Sequence, residues 1–140
     1  MAANLTLNME AQLTEIERIH AAVKILSQAE GWPPELLFQI ELVLEEIGTN
    51  IIKYGQDGDR ETDINITLTS DSTSLRLEIV DSGKPFDPFA EAPPPDLDSP
   101  IPDRPIGGLG VHLVQELMDE SYYRREDGMN KVTLIKHKSV

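Results

Sequence analysis

Eight of the ten prolines in this 140-residue chain fall between residues 85 and 105. Proline fixes φ and removes a backbone donor, so this stretch cannot form a central strand or a helix. A loop of this length inside a compact domain is typically a lid, a binding loop or a disordered segment. The fold must therefore be built from the residues on either side, and we expect a lid over about residues 87–106.

The spacing of apolar residues predicts the first elements of the fold. Residues 4–8 alternate between polar and apolar, as in a short strand. Residues 9–29 and 34–54 repeat apolar side chains at helical spacing, and Gly31-Trp-Pro-Pro34 separates the two helices. Gly55 is a good stop for the second helix.

Two hairpins are predicted from alternating segments. Residues 63–70 and 74–80 form the first, with one buried face. After the lid, a helix over about residues 107–118 precedes strands at 122–126 and 131–136, which turn at Asp127-Gly128. These elements predict a single α+β domain over residues 1–140, a two-layer sandwich whose mixed, mostly antiparallel sheet carries helices on one face.

Composition excludes several classes of protein. A net charge of −13 argues against direct nucleic-acid binding, which requires Lys and Arg to neutralise phosphates. The chain has no cysteine, so it can form neither a disulfide framework nor a thiolate metal site. No apolar run approaches the roughly 20 residues of a membrane span, and the N-terminus does not resemble a secretory signal. We expect a cytoplasmic protein.

One polar line runs along the second helix. Glu46, Asn50 and Lys53 lie at positions i, i+4 and i+7, on a different face from the apolar stripe. A carboxylate, an amide oxygen and an ammonium would suit hydrated Mg²⁺ and its polyphosphate, since Mg²⁺ keeps several waters and needs few protein oxygens. The alternative is an ordinary solvated helix face.

An aspartate follows the end of the third predicted strand, in the segment Asp81-Ser-Gly83. If buried, its carboxylate could accept a hydrogen bond from the exocyclic amine of adenine, and Gly83 would let the base approach the backbone. The alternative is an ordinary loop start, because Asp, Ser and Gly are all turn residues.

Three glycines open the third helix in Gly107-Gly108-Leu-Gly110. Glycines at a helix N-terminus leave N–H groups free to face phosphate oxygens, and the helix dipole favours the negative charge. They could equally hinge the lid, and the two roles are compatible. The pattern is neither a P-loop nor a dinucleotide-binding fingerprint.

Together and in this order, the segments at 46–55, 81–88 and 107–114 resemble the ATP-binding domain shared by gyrase, histidine kinases and MutL, the GHKL type with the Bergerat fold. They look like its N, G1 and G2 boxes. The Asp-x-Gly-x-Pro-Phe-Asp-Pro form at 81–88 is most similar to the bacterial anti-sigma factor serine/threonine kinases.

The resemblance implies a role for several residues. Asn50 would coordinate Mg²⁺, and Glu46 would be the general base that takes a proton from an attacking hydroxyl. Asp81 would bind the adenine amine, and Gly83 would line the base.

Further contacts to ATP are implied with them. Gly108 and Gly110 would border the phosphates beneath the lid, and Thr133 would place a hydroxyl near adenine. Lys53 and Arg104 are candidate phosphate contacts, although each could be a solvated surface charge.

The function implied by the resemblance is a protein kinase that uses Mg-ATP to phosphorylate a small antagonist (anti-anti-sigma) protein in a partner-switching pathway. Its other partner would be a sigma factor or similar regulatory target, and a homodimer is the expected state. The lid holds Arg104 as its single basic residue, which keeps open a nucleotide-dependent protein-binding regulator without kinase activity. A detached histidine-kinase catalytic domain is the third alternative.

Overall fold

The computed structural model describes residues 3–55, 63–91 and 110–138. A short 3-10 helix (Leu13–Glu15) precedes the first α-helix. The elements in chain order are β1 (Ala3–Glu10), α1 (Ile16–Glu30), α2 (Pro34–Tyr54), β2 (Asp63–Ser70), β3 (Ser74–Asp81), α3 (Pro88–Glu91), α4 (Gly110–Leu117), β4 (Glu120–Glu126) and β5 (Met129–His137).

The five strands form one sheet in the order β1-β2-β3-β5-β4. The predicted α+β sandwich is confirmed, but the expectation of a mixed sheet was wrong, because all four strand pairings described are antiparallel. The final hairpin docks through β5, its second strand, which runs opposite to β3. This arrangement leaves β4 at one edge and β1 at the other.

The core lies between one face of the sheet and the helices. Side chains on β2, β3 and β5 alternate between buried and more exposed, so each strand buries every second residue. The inner face of the sheet meets the apolar stripe of α2, as the periodicity predicted. The fully buried residues on these two surfaces include Ile40, Ile47, Ile64, Leu75, Leu77 and Leu134.

The boundary between β1 and α1 differs from the prediction. The strand continues to Glu10, where it pairs with Asp63, and α1 begins only at Ile16. Met9, which was expected to open the helix, is buried opposite Ile64. Pairing with β2 outweighs the local helical pattern here, because the sheet both satisfies this backbone and buries the methionine side chain.

A one-turn helix, α3, lies in the segment that was expected to contain no helix. Pro88 opens it, a position at which the missing N–H costs no hydrogen bond. The Asp87 carboxylate accepts a hydrogen bond from the Phe89 N–H at 2.9 Å and satisfies one of the first donors. The rest of the proposed lid, from residue 92, lies outside the described residues.

The end of α2 and the turn between β4 and β5 lie at the residues that the sequence predicted. Helix α2 spans Pro34–Tyr54, and its end is closed by the Gly55 N–H, which donates to the Ile51 carbonyl at 2.9 Å. Asp127 and Gly128 have φ of 53° and 75°, the left-handed conformation that a two-residue hairpin turn requires. No helix among the described residues is long and apolar enough to cross a membrane.

The burial pattern predicts a contrast between two isoleucines. Ile40 on α2 is fully buried, whereas Ile25 on α1 is 69% exposed. We expect Ile40→Ala to lower the free energy of unfolding by about 2–5 kcal/mol, because it removes buried carbons and leaves a cavity. Ile25→Ala should change it by less than about 0.5 kcal/mol. Urea denaturation of both variants checks this, and equal losses would contradict the assigned core.

Candidate functional site

Asp81 is a carboxylate at a core-facing position, the last residue of β3, with 1% of its surface exposed. Its Oδ1 accepts hydrogen bonds from the Gly83 N–H at 2.9 Å and from Asn130 Nδ2 at 3.1 Å. Burial raises the pKa of Asp81, while these two hydrogen bonds and the charge of Arg125 oppose the rise. The carboxylate is thus buried but held in place by donors, as a recognition group needs to be.

Asn130 on β5 was not predicted from the sequence. It pairs directly with Asp81 across the β3–β5 register and is 2% exposed. The sequence does contain a pattern that indicates it. Asn130, Val132 and Leu134 are alternate residues of β5 and share its buried face, so the strand places a polar side chain in the core. A buried amide at such a position requires partners, and Asp81 is one of them.

The loop after Asp81 is packed against the end of α2. The Lys84 N–H donates to the Gly55 carbonyl oxygen at 3.1 Å. A Cβ added to Gly83 would lie 2.2 Å from that same oxygen, so glycine is required by the close approach of two backbones. From the other side, an Arg125 guanidinium nitrogen donates to the Gly83 carbonyl at 2.7 Å. The two predicted segments therefore meet through their backbones.

The polar line on α2 lies where the sequence predicted it. Asn50 is 3% exposed, and its Nδ2 donates to the Glu46 backbone carbonyl at 2.7 Å. This bond uses an amide hydrogen and leaves the amide oxygen as the atom suited to a cation. Among the described residues, Glu46 Oε2 is one of two buried side-chain polar atoms without a hydrogen-bond partner. Burial raises the pKa of Glu46, and Glu45 adds to the rise while Lys53 opposes it.

A cavity of about 410 Å³ lies at the C-terminal end of α2, with Lys53 in its lining; Glu46, Asn50 and Asp81 are not among the residues that line it. It is bounded by the end of α2, the loop after Asp81 and the start of the lid. The Tyr54 and Phe86 rings lie 6.3 Å apart in its wall. The cavity is lined by Lys53, Tyr54, Lys84, Pro85, Phe86 and Glu91, so Lys84 joins Lys53 as a cation at this site.

A second cavity, of about 450 Å³, lies between the α1–α2 turn and the end of β5. It contains none of the residues predicted to act, so its size does not make it the better candidate.

The structure does not bring Thr133 to Asp81. Thr133 pairs with Glu78 and Tyr122, on the face of the sheet opposite to the Asp81–Asn130 pair. The expected hydroxyl near adenine is therefore corrected: strand alternation places Asn130 in that neighbourhood and turns Thr133 away.

The predicted phosphate rim is only partly described. Gly110 is the first residue of α4, which packs against α2. Arg104 and Gly108 lie outside the described residues, as does most of the lid.

A metal at this site would need ligand oxygens in addition to those of the protein. Within the described ranges, no group of three or more His, Cys, Asp or Glu side chains could hold an ion. The Asn50 amide oxygen and nearby Glu46 nevertheless fit Mg²⁺, which takes one or two protein oxygens and completes its shell with water and substrate phosphates.

Packing at Gly83 gives a test of the contact with α2. We expect Gly83→Ala to lower the free energy of unfolding by about 1–3 kcal/mol, because the added Cβ meets a backbone oxygen that cannot move alone. Gly48→Ala on α2 is the control, since its Cβ would meet nothing within 4 Å. Denaturant unfolding should show the control unchanged or stabilised, and equal behaviour of both variants would refute the close contact.

Burial of Glu46 predicts a pH-dependent cost in stability. Because its pKa is raised above the ordinary 4.5, the folded state binds more protons than the unfolded state, and stability falls as pH rises from about 4.5 through the folded pKa. Glu46→Gln removes this loss. Its free energy of unfolding should therefore exceed that of the wild type by an increasing amount as the pH rises above about 4.5.

Unfolding curves across this pH range measure the effect of Glu46. Glu35→Gln, exposed in the first turn of the same helix, is the control and should show no such gain. A Glu46→Gln variant that follows the wild type at every pH would show that the carboxyl is not buried in solution.

Comparison with known proteins agrees with the fold. A model of the histidine kinase-like ATPase domain matches residues 9–136. The chain is 23% identical over 135 residues to the serine-protein kinase RsbW of Listeria monocytogenes serovar 1/2a, covering 94% of this chain and 86% of the relative. It is 26% identical over 103 residues to that of Bacillus cereus, covering 71% and 63%.

A solved structure shares the fold of this chain. The crystal structure of RsbU and RsbW domains from Mycobacterium tuberculosis superposes with a TM-score of 0.64 at 15% identity, covering 96% of this chain. The chain spans about a third of that longer protein, 32% of its length. With the family match over residues 9–136, these findings identify the chain as a member of the histidine kinase-like ATPase domain family.

Proposed function

We propose that this protein is an ATP-dependent serine/threonine protein kinase of the anti-sigma factor type, and that it phosphorylates a small antagonist protein. The observation that carries the proposal is the Glu46 carboxylate, half-buried on α2, with one oxygen that lacks a hydrogen-bond partner among the described residues. A partly buried carboxylate with an unpartnered oxygen is suited to accept a proton. The relatives named serine-protein kinase RsbW support the same reaction class.

One group of residues would bind the base of the nucleotide, and another would bind its phosphates. Asp81 would accept the exocyclic amine of adenine, and Gly83 would lie against the base. Lys53 and Lys84, which line the cavity, would face the phosphates.

The remaining contacts to the phosphates are proposed on the sequence motif alone. Gly108 and Gly110 would border them at the start of α4, and Arg104 would approach from the lid.

Asn50 would hold Mg²⁺ through its amide oxygen, because its amide nitrogen is engaged by the Glu46 carbonyl. The ion, when bound, would neutralise charge on the phosphates that the two lysines do not reach. The protein contributes the orientation of this oxygen: the hydrogen bond within α2 fixes the amide before any ligand arrives.

Transfer would begin at the hydroxyl of a serine or threonine on the antagonist. Glu46 would take the hydroxyl proton as the oxygen forms a bond to the γ-phosphorus. The bond between that phosphorus and the β–γ bridging oxygen breaks, and ADP leaves with the electron pair. Burial raises the pKa of Glu46, which makes it a stronger base than an exposed carboxylate.

The partners are proposed from the family resemblance. We propose an antagonist (anti-anti-sigma) protein as the substrate and a sigma factor or other regulatory target as the second partner, in the cytoplasm and with a homodimer as the working state. The net charge of −13 would suit a basic surface on either partner.

A nucleotide-dependent regulator without kinase activity is the second candidate. Between residues 85 and 106 the sequence has five acidic residues and one basic residue, Arg104. Phosphoryl transfer depends on cations around the developing charge, so a lid this acidic favours binding over catalysis.

Phosphate transfer to a candidate antagonist domain in Mg-ATP tests the proposal. We expect the wild type to transfer phosphate and Glu46→Gln to be slower by about 10²–10⁴-fold, the usual contribution of general base catalysis, with ATP affinity kept within about threefold. Glu35→Gln changes an exposed carboxylate in the first turn of the same helix and should transfer normally. Wild-type activity in Glu46→Gln would refute the base, and ATP binding without transfer would favour the regulator.

A further inference from the structure

Asn130 uses all of its hydrogen-bonding capacity inside the site. Its Nδ2 donates to Asp81 Oδ1 at 3.1 Å and to the Lys84 carbonyl at 2.8 Å. Its Oδ1 accepts from the Phe86 N–H at 3.2 Å and from the Tyr123 hydroxyl at 2.6 Å. An amide has two donor hydrogens and an oxygen with two lone pairs, so no capacity is left over.

The direction of this amide is set by its backbone partners. A carbonyl can only accept and an N–H can only donate, so the Lys84 carbonyl must face the nitrogen and the Phe86 N–H must face the oxygen. The nitrogen is thereby directed at Asp81, on the neighbouring strand. Asn130 cannot rotate to offer its oxygen to that carboxylate without breaking two backbone hydrogen bonds.

This arrangement orients the carboxylate of Asp81. Both hydrogen bonds that it accepts from the described residues end on Oδ1, one from the Gly83 N–H and one from Asn130. With Oδ1 engaged in this way, Oδ2 is the oxygen suited to a donor on a ligand. Asn130 also holds the backbone of Phe86, whose side chain lines the cavity, so one amide fixes both the recognition group and a wall.

We propose that Asn130 is a positioning residue for nucleobase selection, which fixes Asp81 so that its second oxygen accepts the 6-amino group of adenine. The inference rests on the proposed binding of ATP. It predicts that loss of Asn130 weakens a nucleotide that carries the amine more than one that lacks it, whereas a merely structural asparagine would affect all nucleotides equally.

The test pairs protein variants with a nucleotide that lacks the amine. Dissociation constants are measured calorimetrically for Mg-ATP and for purine riboside triphosphate, whose 6-amino group is replaced by hydrogen. We expect the wild type to prefer ATP by about tenfold or more, the scale of a hydrogen bond to a charged group. In Asn130→Ala the preference should fall below about threefold, because affinity for ATP falls by more than affinity for the analogue.

Two further variants keep the test decisive. Asn65→Ala removes the same amide from an exposed position on the outer face of β2 and should keep the full preference for ATP. If thermal melting shows that Asn130→Ala is unfolded, Tyr123→Phe takes its place, since it removes only the hydroxyl that orients the Asn130 oxygen. Its preference for ATP should fall by about twofold or more, the effect of losing one orienting hydrogen bond.

The outcomes separate the two proposals. Loss of the preference in Asn130→Ala, or in Tyr123→Phe where the former is unfolded, supports the positioning role. Equal weakening of both nucleotides, or an unchanged preference in the variant used, overturns that role and leaves ATP binding intact. A wild type that binds neither nucleotide overturns the proposed function, and the role of Asn130 with it.

Discussion

The site depends on a carboxylate that the sheet places in its own core. Strand alternation turns Asp81 inward, in series with Leu77 and Ile79, where water cannot solvate it. Burying an ionised carboxylate without partners is costly, so the surrounding chain must supply donors. The Gly83 N–H and the Asn130 amide do so, and the loop, the last strand and the end of α2 are arranged around that requirement.

Helix α2 combines two roles that usually conflict. One stripe packs against the sheet, while the line from Glu46 to Lys53 serves the site. Burial is acceptable for Asn50, whose amide nitrogen bonds within the helix, but it is unfavourable for Glu46, which has an unpartnered oxygen. A residue selected for stability alone would not be a glutamate, and the proposed role of Glu46 as a base would account for its presence at this position.

Most of the architecture was predictable because it depends on local patterns. The bounds of α2 follow from Pro34, Gly55 and the periodicity between them, and the final hairpin follows from Asp127-Gly128. The β1–α1 boundary was not predictable in this way, because Met9 is held by pairing with a strand more than fifty residues away. Helix α3 was missed because a proline at the first position of a helix permits what a proline inside it forbids.

The candidate site was predictable in its parts and not in its assembly. Glu46, Asn50 and Asp81 could be named because each lies in a motif. Asn130 lies in none, and only the β3–β5 register shows that it meets Asp81. The same register turns Thr133 to the outer face, an error of the kind that arises whenever the phase of a strand is unknown.

The strand order has a consequence for how the molecule is made. β5 is the last strand of the sheet along the chain, yet it lies between β3 and β4. During synthesis, every element that precedes β5 is available before the inner edge of β3 has its neighbour. In that interval Asp81 has its partner on β2, Ile64, but lacks Asn130. The Asp81–Asn130 pair is therefore a late product of folding, and a ribosome-bound chain that lacks β5 would hold its helices and first hairpin without that pair.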